Sequence, residues 1–197
     1  MQRIVGGLIA AVVIGLMWLT LGRLIFVVDV GQHGMLSSKA IVTYLLLFLT
    51  PVATFVPLRL WTNIPLYDVE AIASWATLGF ALGFLQPESP LTLGQFLFFI
   101  LTLTVALSTI GTLLSYAVGL RACRDVAHRH DVMRARRQGY LLAMFAVACL
   151  VLHGIGTLTP ASGTLLFILL VLAEVLAFSR ANAKPAAQHT AGSPAKV

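Results

Sequence analysis

Ionisable side chains set inside long apolar runs are the positions in this sequence best placed to do chemistry, because a charge in hydrocarbon is costly and persists where it pairs, carries protons or handles ions. The reading along the chain singles out three: Arg23, His153 and Glu174. His153 stands in His153-Gly154-Ile155-Gly156 and shares a helical face with Ala146, Cys149 and Gly156. It is expected to point into a helix bundle, as a hydrogen-bonded neutral imidazole or, in a functional reading, as a proton relay. Glu174 lies about one and a half turns before the end of the last apolar run, within expected reach of Arg59, Arg121 or Arg124. An ion pair there offsets most of the burial cost, and a transporter would require the carboxylate to exchange partners. Arg23 lies near the end of the first run, where it can extend its charge to the interface or pair with Asp29 or Glu88. A haem held between two histidines is not expected, since no second histidine falls in another apolar run.

The segment from Arg121 to Gln138 holds six arginines. Its Cys123, Asp125, His128, His130 and Asp131 offer metal-capable atoms, but one thiol and irregular spacing match no structural zinc pattern, so no metal is expected. Asp125 with Arg129 and Asp131 with Arg134 have helical ion-pair spacing. Arg134, Arg136 and Arg137 are the expected contacts for anionic lipid head groups, each worth about 1 kcal/mol near the surface. The basic surface is too short for nucleic acid. GxGxxG, P-loop, HExxH and GxSxG sequences are absent, and no two carboxylates in the apolar runs are spaced as a catalytic pair, so neither an enzyme nor a cofactor is expected.

The elements that must position these residues follow from composition. Of 197 residues, 59% are hydrophobic and 10% charged, with a mean hydropathy of +0.95. That is too little polar surface for a water-soluble domain, in which about a quarter of the residues are charged. A spanning helix needs about 20 apolar residues, and six stretches come near it: 4–28, 40–61, 69–86, 90–120, 139–158 and 160–179. The fold expected is all-α, a polytopic transmembrane helix bundle. The first stretch reads as a retained span and not a cleaved signal, because no small-x-small site follows it. Residues 181–197, rich in Ala, Pro and small polar side chains, read as a disordered tail.

With six spans, Arg3, Arg59, the six connector arginines, Arg180, Lys184 and Lys196 fall on one side, and Lys39 alone on the other. The arginine-rich side and both termini are therefore expected in the cytoplasm. Folding the short third stretch into a re-entrant loop is disfavoured, because it would put part of this charge outside. Ser89-Pro90 and Thr159-Pro160 read as helix starts, with a capping hydroxyl before a first-turn proline. Only a residue or two is expected between the fifth and sixth spans.

Small residues should mark the seams where helices approach: Gly7, Ala11, Gly15 and Gly22 in the first span, Gly79 and Gly83 in the third, Gly111, Ser115 and Gly119 in the fourth. Pro51 and Pro57 predict a kinked second span, with Thr43, Thr50 and Thr54 on one face to bond the freed carbonyls. The hydroxyls of Thr104, Ser108, Thr112 and Ser115 give the fourth span a face that could meet them.

Arg136-Arg137-Gln138-Gly139 leading into an apolar hairpin, Leu172-Ala173-Glu174, and Ser179-Arg180 carry a resemblance to small uncharacterised bacterial multipass membrane proteins. It covers Pro90 to Arg180. What it implies is residence in a bacterial inner membrane, with no activity attached. The function expected is a non-enzymatic accessory or scaffold component that packs with a membrane partner or another copy of itself. The alternative is a small transporter or channel subunit using His153 and Glu174 as a relay. A lipid-modifying enzyme holding a phosphate in the arginine segment ranks last, because no nucleophile and base stand together.

Overall fold

A computed structural model of the chain describes residues 2–28, 30, 36–62, 64–84, 92–122 and 131–191. Among them all regular structure is α-helical: α1 (Gln2–Phe26), α2 (Ser38–Thr62), α3 (Tyr67–Phe84), α4 (Leu93–Ala122), α5 (Val132–Gly154) and α6 (Pro160–Ala191). Segments Gly6–Phe26, Ser38–Leu60, Leu93–Arg121 and Val132–Gly154 are each long and apolar enough to cross a membrane, and Pro160–Leu176 is a shorter apolar stretch. α3 is one continuous helix of 18 residues, about 27 Å long, and not a re-entrant loop. It is not among the helices long and apolar enough to cross a membrane, and its first turn carries Asp68 and Glu70.

Residues 1–140 and 141–197 form two compact units. In the first, α3 is the hub, packed against α1, α2 and α4. Phe55, Ile64, Tyr67, Ala71, Tyr116 and Ala135 form its largest core cluster. Leu21, Ile25 and Leu47 form a second between α1 and α2, covered by Trp18, Tyr44, Leu46 and Phe84. Trp18 and Trp75 meet edge to face with centroids 5.4 Å apart, and Tyr44 stacks on Phe84 at 4.8 Å. α3 packs against both α2 and α4, and the hydroxyl face of α4 meets the start of α5, with Ser108 and Thr112 against Gly139 and Ser115 bonded to Gln138.

The seams are only partly those expected. A Cβ on Gly79 would run into the Leu47 side chain, and one on Gly83 would touch Ile25 at 3.5 Å. Gly111 faces Gly139 across the α4–α5 seam, where an added Cβ would lie 2.8 Å from the Gly139 carbonyl oxygen. In α1, by contrast, no atom of the described residues lies within 4 Å of a Cβ placed on Gly7, Gly15 or Gly22. α1 packs instead through Trp18, Leu21 and Ile25, large side chains that bury more surface than glycine backbone can.

Helix ends explain several sequence features. Thr92 and Gln95 cap α4 reciprocally: the Thr92 N–H donates to Gln95 Oε1 (3.1 Å) and the Gln95 N–H to Thr92 Oγ1 (3.4 Å). The start expected at Ser89-Pro90 lies outside the described residues. Thr159 caps α6 as expected, accepting the Ser162 N–H at 3.2 Å, with Pro160 first in the helix. The link before it is five residues, Ile155 to Thr159, longer than expected, because α5 stops at Gly154. Gly156 takes φ +77°; its N–H bonds the His153 carbonyl (3.0 Å) and the Thr157 N–H bonds Leu152 O (2.9 Å). That is the Schellman stop, in which glycine alone accepts the left-handed geometry without strain. α6 runs on to Ala191 where a disordered tail was expected; Ala181, Ala183, Ala186, Ala187 and Ala191 supply helix propensity without an apolar face.

α2 stays helical through Pro51 and Pro57. Those prolines free the carbonyls of Leu47 and Ala53, but the threonine hydroxyls bond others. Thr43 donates to Lys39 O (2.9 Å) and Thr54 to Thr50 O (2.8 Å). Thr50 is fully buried, and its Oγ1 has no partner among the described residues.

Candidate functional site

The densest polar grouping among the described residues sits where α2 ends, α3 begins, and α4 meets the start of α5. The turn between α2 and α3 delivers its first members. Ile64 is fully buried under it, Pro65 and Leu66 reverse the chain, and Leu66 adopts φ 59°. The reversal brings Arg59 Nη1 to 2.8 Å from Asp68 Oδ2. Loss of solvent alone would raise the Asp68 carboxyl, but the Arg59 guanidinium and the Val69 N–H hold it below the ordinary carboxylate value.

Two residues on, in the same first turn, Glu70 joins α3 to α5. Its Oε2 lies 3.1 Å from Arg136 Nη2, and its Oε1 accepts the Tyr140 hydroxyl at 2.5 Å. Arg136 Nη2 also donates to the Pro65 carbonyl at 3.1 Å, so one guanidinium holds both the turn and the helix that follows it. Arg136 and Tyr140 are four residues apart on one face of α5, which is why both reach Glu70. On the α4 side, Ser115 donates to Gln138, and the bare backbone of Gly139 lies against Gly111 and Thr112. Deeper in, Tyr67 donates to the Thr109 carbonyl (3.1 Å) and Trp75 to the Thr109 hydroxyl (3.1 Å). Each bond satisfies a polar group that would otherwise be buried bare.

The arrangement links helices. Among the described residues it presents two ion pairs, Arg59 with Asp68 and Arg136 with Glu70, the second extended by the Tyr140 hydroxyl and the Pro65 carbonyl. Among the described residues no group of three or more His, Cys, Asp or Glu is placed to hold a metal. Two grooves are described, and both are lined mainly by apolar side chains. One, of about 300 Å³, lies between α2 and α3 along Tyr44, Leu47, Phe48, Thr77 and Phe80. The other, of about 190 Å³, lies between α5 and α6 near Phe145, Leu166 and Ala173.

The residues singled out from sequence are scattered. Arg23 is exposed in the last turn of α1, its carbonyl accepting the N–H groups of Val27 and Val28; Asp29 and Glu88 lie outside the described residues. His153 is exposed and does not point inward, because its place is the terminal turn of α5, where the backbone makes the helix stop. Glu174 is half-buried on α6. Its expected partner Arg59 is held by Asp68 instead, nine residues away across a turn that fixes both. Arg124 lies outside the described residues, as do Cys123, Asp125, His128, Arg129 and His130. Arg136 is paired with Glu70, and Arg134, Arg136 and Arg137 are all half-buried. Asp131 uses its carboxylate to cap α5, accepting the Arg134 N–H at 3.0 Å.

Sequence reasoning missed Glu70, Tyr140 and Gln138. A signal existed for the first: Glu70 falls inside the stretch 69–86 and so, like Arg59 in 40–61, is a further ionisable group within an apolar run. No protein-family model, characterised protein or solved structure matches the chain.

Proposed function

We propose that this chain is a non-enzymatic, multi-pass component of a bacterial inner membrane that packs with a membrane partner or with another copy of itself. The observation that carries the reading is how the polar groups are used. Arg59 with Asp68, and Glu70 with Arg136 and Tyr140, tie helix to helix. The surface left outside is apolar helix, including the open glycine face of α1. Small residues on a lipid-facing helix allow a second helix to approach closely. In this reading the arginine-bearing end faces the cytoplasm, in keeping with the charge bias, and Arg134, Arg136 and Arg137 border anionic head groups. Purification in mild detergent with in-cell cross-linking tests it. A defined oligomer or a stoichiometric partner is expected, and a strictly monomeric particle with no cross-linked neighbour overturns it.

A small transporter or channel subunit is the second reading. The observation favouring it is that Glu70 with Arg136 closes α3 on α5 at one end of the helices, as a gate would. His153, exposed at a helix stop, fits a relay poorly. Glu174→Gln abolishing proton-coupled flux in reconstituted vesicles would support this reading, and unchanged flux would remove it.

A further inference from the structure

The end of the bundle that carries the ion pairs also presents bare apolar side chains. Leu66 is 66% exposed and Met133 78%. Leu66 is held outward at φ 59°, a conformation that leucine rarely adopts, and its exposed side chain recovers nothing from the fold. The bond from Arg136 to the Pro65 carbonyl sets the first turn of α5 beside this leucine, and Met133 lies one helical turn before Arg136. Among the described residues the surroundings are basic: Arg59, Arg121, Arg134, Arg136 and Arg137 against Asp68, Glu70 and Asp131, five minus three, a net charge of +2.

The depth of this surface follows from α2. Lys39 and Arg59 are twenty residues apart on one helix, hence about 30 Å, the thickness of the hydrocarbon layer. With each cation at one border, the α2–α3 turn just beyond Arg59 lies in the head-group layer. Exposed leucine and methionine within a basic surface at that depth complement a leaflet of acyl chains topped by anionic phosphate.

We infer that the α2–α3 turn and the first turn of α5 form an interfacial anchor, Leu66 and Met133 entering the acyl border of an anionic leaflet while the arginines meet lipid phosphate. The inference rests on the membrane reading above but not on any protein partner. The test uses the full chain with Cys123 and Cys149 replaced by serine, carrying Leu66→Cys or Met133→Cys labelled with an environment-sensitive fluorophore. It is placed in vesicles of phosphatidylcholine, with or without phosphatidylglycerol. The expected result is a blue-shifted emission quenched by lipid-borne nitroxide and shielded from aqueous iodide, with both effects stronger when phosphatidylglycerol is present. Arg134→Gln combined with Arg137→Gln should remove the phosphatidylglycerol dependence and leave the fold intact by circular dichroism. Quenching by iodide alone in both vesicles would overturn the anchor and show a surface left bare for a protein. Equal embedding in both lipids would overturn its anionic part. Because purified chain in pure lipid is used, failure here is separable from failure of the cross-linking experiment.

Discussion

Gly139→Ala is the sharpest test of how the site is held together. A Cβ at residue 139 would lie 2.5 Å from the Thr112 backbone nitrogen and 2.8 Å from the Ser108 carbonyl oxygen. Both are backbone atoms on α4, so no side chain can rotate away. Restoring ordinary contact at 3.4 Å requires α5 to retreat by 3.4 minus 2.5, or 0.9 Å. That movement would also strain the Ser115–Gln138 bond and the grip of Arg136 and Tyr140 on Glu70. Overpacking of this kind costs about 1–3 kcal/mol, and the better helix propensity of alanine returns about 0.5–1 kcal/mol. The net expectation is a loss of about 1–2 kcal/mol. Gly15→Ala is the control: nothing lies within 4 Å of its Cβ, so the propensity gain stands alone. Gly79→Ala should fall between them, since it meets only the end of the Leu47 side chain, which can move. Reversible unfolding in mixed micelles of dodecyl sulfate, followed by circular dichroism, ranks the three. If Gly139→Ala proves as stable as Gly15→Ala, the α4–α5 contact does not exist as described.

Three further outcomes are expected. Arg59→Gln should lower the thermal midpoint at neutral pH, and the difference from the parent chain should vanish in acid. Asp68 has a lowered folded pKa, so its contribution is full above the unfolded value near 3.8 and is lost as pH falls through the folded one; a difference independent of pH from 7 to 2 would contradict this. Glu70→Arg should destabilise by about 1 kcal/mol or more, and adding Arg136→Glu should recover part of that loss in a double-mutant cycle, whereas strictly additive losses would show the pair to be incidental. Thr159→Ala should cost about 1 kcal/mol through loss of the α6 cap, measured by the same micellar unfolding, and no change would mean that the hydroxyl does not cap.

The elements were legible and their partners were not. Apolar length alone marks the helices, because a bilayer demands it, and Thr159-Pro160 marks a helix start by local chemistry. Seams were legible only where both faces carry a signal. Gly111 stands out by its four-residue repeat with Ser115 and Gly119, but the surface it needs is Gly139, on another helix, and no spacing rule joins the two. The glycine face of α1 carries the same pattern with no partner among the described residues, which shows that pattern records capacity for approach and not approach itself. The His153-Gly154-Ile155-Gly156 sequence misled because it also encodes a helix stop, and positive φ at Gly156 accounts for the second glycine without any role for the imidazole. Arg136 read only as a lipid contact, since its pair with Glu70 joins residues 66 apart in the chain and no spacing rule connects them.

Glu70 and Asp68 also answer a question that α3 raises by its length. At 18 residues it is the shortest of the six described helices, yet it is the hub on which α1, α2 and α4 pack. Apolar packing alone would fix its depth poorly, because leucine against leucine tolerates sliding and lipid offers the same surroundings on either side of a slip. Charges do not tolerate it. A slip of one helical turn, about 5.4 Å, would carry Glu70 out of reach of both Arg136 and Tyr140 and leave Asp68 without Arg59. The two acids stand in the first turn of α3, where the exposed N–H groups of the helix favour negative charge. Their guanidinium partners come from the preceding helix and from α5. The hub is therefore pinned at one end from both sides, and the aromatic contacts of Trp75, Phe80 and Phe84 can pack along the rest of its length in a single register.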